Sequence, residues 1–231
     1  MSTVCQVVYL AFTTGYAPAT GRQTTRVEVA DEAIRLARLL RTLMPQRTEL
    51  VPLLALMLLQ HARRDTRTGP DGHLVLLPDQ DRAAWHHEEI DEALRLLEPM
   101  MTGSWTGTTA EYFLQALIAA EHAVAPTAAD TRWDRIAGHY ADLEALTGSP
   151  VVRLNRAVAV AEAEGPAAGL VLLDGLSEAL PRNHRLAGVR GVLLADVGRV
   201  EEARAALQQA LALCRNEVEA EHLRARLSRL S

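Results

Sequence analysis

The sequence predicts an all-α protein built of helical hairpins stacked side by side as a solenoid, and three observations predict it. Apolar residues recur at three- and four-residue spacing through nearly the whole chain, the pattern of amphipathic helices. Tight Gly and Pro joints separate the segments, so successive helices run antiparallel. Two stretches in the last third repeat one another at an offset of 34 residues, falling to 33 at their turns, a period that belongs to stacked helix pairs.

About eleven helices are expected, near 3–13, 26–44, 47–64, 80–98, 108–124, 131–147, 150–164, 167–180, 184–197, 200–213 and 216–229. The longest apolar run, "LVPLLALMLL" from Leu50 to Leu59, is shorter than the roughly 20 residues that span a bilayer and reads as a buried helix. Thr131 with Asp134 three residues on resembles a capping box. At Gly148-Ser149-Pro150 the glycine ends one helix, Ser149 can cap the next, and Pro150 suits its first position. Gly165-Pro166 and Gly198 make similar joints. Asp71-Gly72, followed by the β-favouring run His73 to Leu77, predicts one small β-hairpin inserted near 67–77, with an irregular loop as the alternative.

The clearest repeat unit is "AGVRGVLLADVGRVEEARAALQQALAL", residues 187–213, which resembles a tetratricopeptide repeat. Gly191 falls where two helices must approach closely, Leu194 is its bulky neighbour, Gly198 turns the chain, and Ala203, Leu207 and Ala210 share the inner face of the second helix. A weaker copy places Ala157 and Val160 at the Gly191 and Leu194 positions and turns at Gly165. One helix pair cannot bury its own apolar face, so neighbours must stack. The expectation is a single solenoid domain over 1–231: divergent helical pairs with the hairpin insertion over 1–147, recognisable repeats over 148–231.

Composition narrows the function. The net charge is −5, and the 24 basic residues are all Arg, scattered among acids. With no basic stripe and only 4% aromatics, the chain lacks both the phosphate footprint and the stacking platforms of nucleic-acid binders, so no direct nucleic-acid binding is expected. Cys5 and Cys214 match no metal-ligand spacing and are expected to be reduced thiols of a cytoplasmic protein. The N-terminal "MSTVCQVVYLAF" has neither a basic start nor a cleavage pattern, so neither a signal peptide nor membrane association is expected. No Ser-His-Asp order, phosphate-cradling glycine loop or paired-acid motif occurs, and neither enzymatic activity nor a cofactor is expected.

"YLAFTTGY", "ALMLLQHARR", "DGHLVLLPDQDRAAW", "LQALIAAEHA", "SPVVRLNRAVAVAE" and "GPAAGL" occur in this order. Together they resemble the C-terminal tetratricopeptide-like extension of one group of bacterial extracytoplasmic-function RNA polymerase sigma factors, and the resemblance runs through almost the whole chain. It implies a regulatory module required for sigma-factor function, acting in place of a separate anti-sigma protein, with the promoter-reading sigma domains and RNA polymerase as partners. In that group the promoter-reading domains precede the "YLxFxxGY" segment, whereas here only Met1 to Val8 stand before Tyr9. The chain is therefore expected to be an excised extension or a stand-alone relative. Thr13-Thr14 stand where the group usually carries Asn-Glu, which puts in doubt any contact that carboxylate served.

Two polar sets are candidates for chemistry. In "DQDRAAWHHEEID", Asp79 or Asp81 is expected to cap the helix that begins there. His86 and His87 lie about 100° apart around a helix and cannot both reach one ion; a site would need a third ligand such as His61, Glu121 or His122, and no metal is expected. The second set consists of polar residues embedded in apolar runs: Arg63, Gln115, His122 and Asn155. Either they pair between helices, or they converge with Tyr16, Asp81, Arg82 and Trp85 on a polar pocket for a small ligand or a chain terminus. In that case Arg63 and Arg82 suit a carboxylate or phosphate, Trp85 forms an apolar wall, and His122 can carry protons.

Overall fold

The computed structural model describes residues 2–16, 26–69 and 75–230. Among them every regular element is helical and no strand occurs. Twelve α-helices are present: α1 (Ser2–Thr14), α2 (Val27–Leu43), α3 (Leu50–His61), α4 (His87–Leu97), α5 (Gly107–Val124), α6 (Trp133–Thr147), α7 (Pro150–Glu164), α8 (Pro166–Leu172), α9 (Leu176–Ala179), α10 (His184–Asp196), α11 (Val200–Leu213) and α12 (Glu217–Ser228). They pack as two compact units, Met1–Thr131 and Arg132–Ser231. The recognisable repeats over 148–231 thus fall wholly within the second.

The first unit is built around α3, which packs against α1, α2, α4 and α5. From Leu50 to Leu59 every side chain except Val51 is buried, and Pro52 is tolerated because the first helical turn has no intrahelical N–H bonds to lose. The flanking helices are amphipathic. On α1, Cys5, Val8 and Phe12 face the core while Val4, Val7 and Leu10 face outward, the last two 60% and 64% exposed. On α2, Ala30, Ala33, Ile34 and Ala37 face inward, and Leu36, Leu39 and Leu43 are exposed. The Thr13 and Thr14 hydroxyls close α1 by donating to the Leu10 and Ala11 carbonyls at 3.0 and 2.7 Å.

In the second unit each helix packs on the next: α6 on α7, α7 on α8, α8 on α10, α10 on α11, and α11 on α12. Gly148 ends α6 in the left-handed conformation (φ 61°) and Pro150 opens α7. A Cβ at Gly191 would lie 2.7 Å from Leu207 Cγ, so the close approach of α10 and α11 expected there is real. Leu194, Ala203, Leu207 and Ala210 are all buried beside it, as are Ala157 and Val160 on α7.

Four local expectations are corrected. The helix expected over 167–180 is two, because Gly175 adopts a left-handed φ of 77° that a continuous helix excludes. The helix expected over 80–98 begins only at His87; residues before it form two short 3-10 turns, Leu77–Asp79 and Arg82–Ala84. The capping box lies four residues upstream of Thr131, where the Asp130 carboxylate accepts from the Thr127 amide at 3.1 Å and hydroxyl at 2.7 Å. Ser149 makes no side-chain cap. Of the segment expected to form a β-hairpin, 70–74 lies outside the described residues; beside it the Val75 amide donates to the Arg67 carbonyl at 2.8 Å, a closure that a turn and a hairpin share. Among the described residues no helix is long and apolar enough to cross a membrane.

Two glycines on α10 test the packing. A Cβ at Gly188 would meet Leu223 at an ordinary 3.5 Å, so Gly188→Ala is expected to raise stability by up to about 1 kcal/mol through helix propensity. Gly191→Ala gains the same propensity but drives Leu207 off its position, and a net loss of about 1–2 kcal/mol is expected. The urea midpoints of the two variants are expected to move in opposite directions.

Candidate functional site

Because α3 is buried almost throughout, its C-terminal carbonyls end inside the first unit and must find donors there. The sequence supplies them as a run of arginines and a returning strap. Arg64 donates to the His61 carbonyl at 3.1 Å, Arg67 to the Gln60 carbonyl at 2.9 Å, and the His86 amide to the Ala62 carbonyl at 2.8 Å. The strap is the "DQDRAAW" segment itself. It is not the polar start of a helix: it crosses the end of α3 and places Arg82 and Trp85 before α4 begins.

Trp85 is buried, and its indole N–H donates to the Thr66 hydroxyl at 2.9 Å. Thr66 in turn donates to the Arg63 carbonyl at 3.1 Å. Gln80, also buried, donates to the Val75 carbonyl at 3.0 Å and anchors the strap from the other side. Arg82 stacks over the Trp85 ring at 4.8 Å, and one of its nitrogens donates to both the His122 and Ala125 carbonyls at the end of α5. Asp81 is exposed and accepts from the Ala83 amide at 3.0 Å, capping a 3-10 turn where an α-helix cap was expected; Asp79 makes no cap of α4, whose N-cap residue is His86.

Tyr16 belongs to a second line of contacts. Its hydroxyl donates to His61 Nδ1, and His61 Nε2 faces Asp31 Oδ1 at 2.9 Å. Burial, followed by the positive charge of Arg64, pushes His61 down to about 4, so the ring is neutral at ordinary pH. The tautomer consistent with both contacts carries its proton on Nε2 and accepts at Nδ1. Burial raises the Tyr16 phenol above its usual value, which keeps it a donor. The guanidinium of Arg67 lies 4.2 Å above the Tyr16 ring.

Arg63 is the least accommodated charge in the cluster. Burial, and then the positive charges of Arg67 and Arg82, push it down to about 9. His122 is pushed down to about 4 by burial, then by Arg63 and Arg82. The nearby acids are committed elsewhere: Glu89 receives Arg64 through both oxygens at 2.9 Å, Asp31 faces His61, and His86 contacts Asp65 at 2.7 Å.

Five of the eight candidate residues, Tyr16, Arg63, Arg82, Trp85 and His122, therefore gather around the ends of α3 and α5. Asp81 sits at the exposed rim. Gln115 is half-buried on α5, and among the described residues no hydrogen bond ties it to the cluster. Asn155 lies on α7 of the second unit. Sequence reasoning missed Asp31, Arg67 and the Arg64–Glu89 pair, and it considered His61 only as a metal ligand; a polar tail directly after an apolar run is the one signal that points to the end of α3.

Among the described residues His86 contacts Asp65 and Glu88, and His87 is exposed at the start of α4. Donor atoms of His184, Cys214 and Glu219 lie within 4.8 Å of one another. They already satisfy one another and the backbone, through His184–Glu219 at 2.5 Å and the Cys214 thiol on the Asn216 carbonyl at 3.3 Å.

Residues 1–101, which carry α1 to α4 and the strap, match a family of unknown function (DUF6596). An uncharacterized protein of Rhizobium meliloti (strain 1021) is 42% identical over all 231 residues, and the match covers 54% of its length. The chain thus spans about half the length of this curated relative.

His61 and His122 are neutral in the folded chain, whereas an unfolded histidine takes its proton near 6.5. The stability they contribute is present above pH 6.5 and is lost as pH falls from there toward 4. Each adds up to about 1.4 kcal/mol per pH unit in that window. Urea unfolding between pH 7.5 and 4.5 is expected to show this slope, and His61→Gln to remove its own share.

Proposed function

We propose that the chain is the regulatory and protein-interaction domain of an extracytoplasmic-function sigma factor. It acts in the cytoplasm and modulates transcription initiation through contacts with the sigma domains or RNA polymerase, as a binding module without catalysis and without contacting nucleic acid itself. The observation that carries this reading is the outward apolar face of the first hairpin: Val4, Val7 and Leu10 along α1, with Leu36, Leu39 and Leu43 along α2. Single exposed apolar residues are ordinary, but stripes at helical spacing on two packed helices are what a partner surface buries. The resemblance of the sequence motifs to the sigma-factor extension supports the reading. So does the match to a relative nearly half of which lies outside it. In this reading the hairpins stack as a tetratricopeptide-like solenoid, and 67–77 folds as a small hairpin beside the strap.

A second reading, a stand-alone small-ligand-binding protein or enzyme on the same scaffold, draws on the arginine cluster. Association separates the two. The chain is expected to co-purify with matching promoter-reading domains and core polymerase. The double variant Val7→Glu, Leu10→Glu is expected to keep its circular dichroism and melting midpoint while binding at least about tenfold more weakly, roughly 1.4 kcal/mol. Failure of the unaltered chain to associate, under conditions where the intact sigma factor is active, overturns the sigma-factor reading.

A further inference from the structure

We propose that Arg63, Arg67 and Arg82 form a receptor for a small oxyanion, a phosphate or carboxylate group, in the first unit. Such a receptor is compatible with either macromolecular partner or none.

Three positive charges share one place here. Arg63 and Arg67 flank Thr66, whose hydroxyl donates to the Arg63 carbonyl and receives the Trp85 indole N–H, and Arg82 stacks on that indole; both charges act on Arg63, and among the described residues none of the three forms an ion pair with a carboxylate. The fourth arginine at this helix end, Arg64, does have one in Glu89. Neutral partners hold Arg67 and Arg82: a carbonyl of α3 and the Tyr16 ring for the first, two carbonyls at the end of α5 and the Trp85 ring for the second. In both, the Nε atom is buried and, among the described residues, has no hydrogen-bond partner.

Magnitudes decide whether those neutral partners suffice. A helix C-terminus presents about half a negative charge, so the ends of α3 and α5 together answer about one of three. The Asp130 carboxylate acts on Arg82 but is held by the Thr127 cap. Guanidinium does not shed its proton at physiological pH, so the imbalance persists. Each of the three is half-buried, so the unanswered charge is only partly hydrated and therefore costly, and the cluster is open to a ligand from solvent. An anion with two or three oxygens matches what is missing, because planar guanidinium groups offer paired N–H donors to such groups. The half-buried Arg82 and the neutral His122 beside it leave this end polar without adding a competing negative charge.

The three arginines divide by role. Arg82 holds the α5 terminus and the strap, so its loss disturbs the fold. Among the described residues Arg63 makes no such carbonyl contact with its side chain, and removing it tests the receptor. The probes are inorganic phosphate and succinate, compared with sodium chloride at equal ionic strength, on the whole chain and on Arg63→Met. The read-outs are thermal unfolding and isothermal titration calorimetry. In the unaltered chain at least one probe is expected to raise the melting midpoint by about 5–10 °C at a hundredfold excess over its Kd, and the stronger probe names the phosphate or the carboxylate source. Arg63→Met is expected to melt in chloride at the same temperature as the unaltered chain or higher, and to lose the probe-dependent rise. Equal shifts in chloride and in both probes overturn the proposal. So does a variant that keeps the rise, or one that melts lower or fails to fold in chloride, since Arg63 is then a packing residue.

Discussion

The first unit depends on one constraint: a helix buried on every side still ends in carbonyls that need donors. α3 meets it with its own trailing arginines and with the amide of His86 carried back by the strap. A surface helix would have left those carbonyls to water. Burying α3 draws cationic side chains inward, and the polar cluster follows from that packing decision.

Once drawn inward, the charges are not treated alike. Arg64 has a two-oxygen partner in Glu89, while Arg67 and Arg82 rest on carbonyls and aromatic faces and Arg63 carries the repulsion of both. His61 and His122 are kept neutral by the same surroundings. Among the described residues the region therefore gathers positive charge between neutral polar walls, with only the Asp130 carboxylate acting on one of the three arginines, Arg82. The Asp31–His61–Tyr16 line superficially resembles a proton relay, but its phenol is held protonated and its ring neutral, which describes an anchored hydrogen-bond chain better than an activated nucleophile.

How much was legible in the residues differs by element. "LVPLLALMLL" announces a buried helix because continuous apolarity has no other soluble use at that length. Gly191 announces a close crossing because its neighbours on both helices are spaced for one. The strap was misread: "DQDRAAWHHEEID" carries every local mark of a helix start, yet Trp85 and Arg82 are engaged by Thr66, His122 and Ala125, partners far along the chain. Those contacts outweigh a few tenths of a kcal/mol of propensity per residue. The division of 167–180 was legible in principle, since Gly175 sits within it, but one glycine inside an apolar pattern does not reveal its φ.

The sequence by itself determined the helical class, the joints at Gly148 and Pro150, the buried run of α3, the inner face of the repeat helices and the residue types of the polar set, because periodicity and backbone chemistry are local. Tertiary structure alone decided which polar residues meet. It brought Tyr16 to His61 across 45 positions and Arg82 to the end of α5 across 40, placed Asn155 in the other unit, and distributed the acids so that, among the described residues, three arginines form no ion pair. Long-range charge pairing depends on which helix ends are buried side by side, and no local pattern records that.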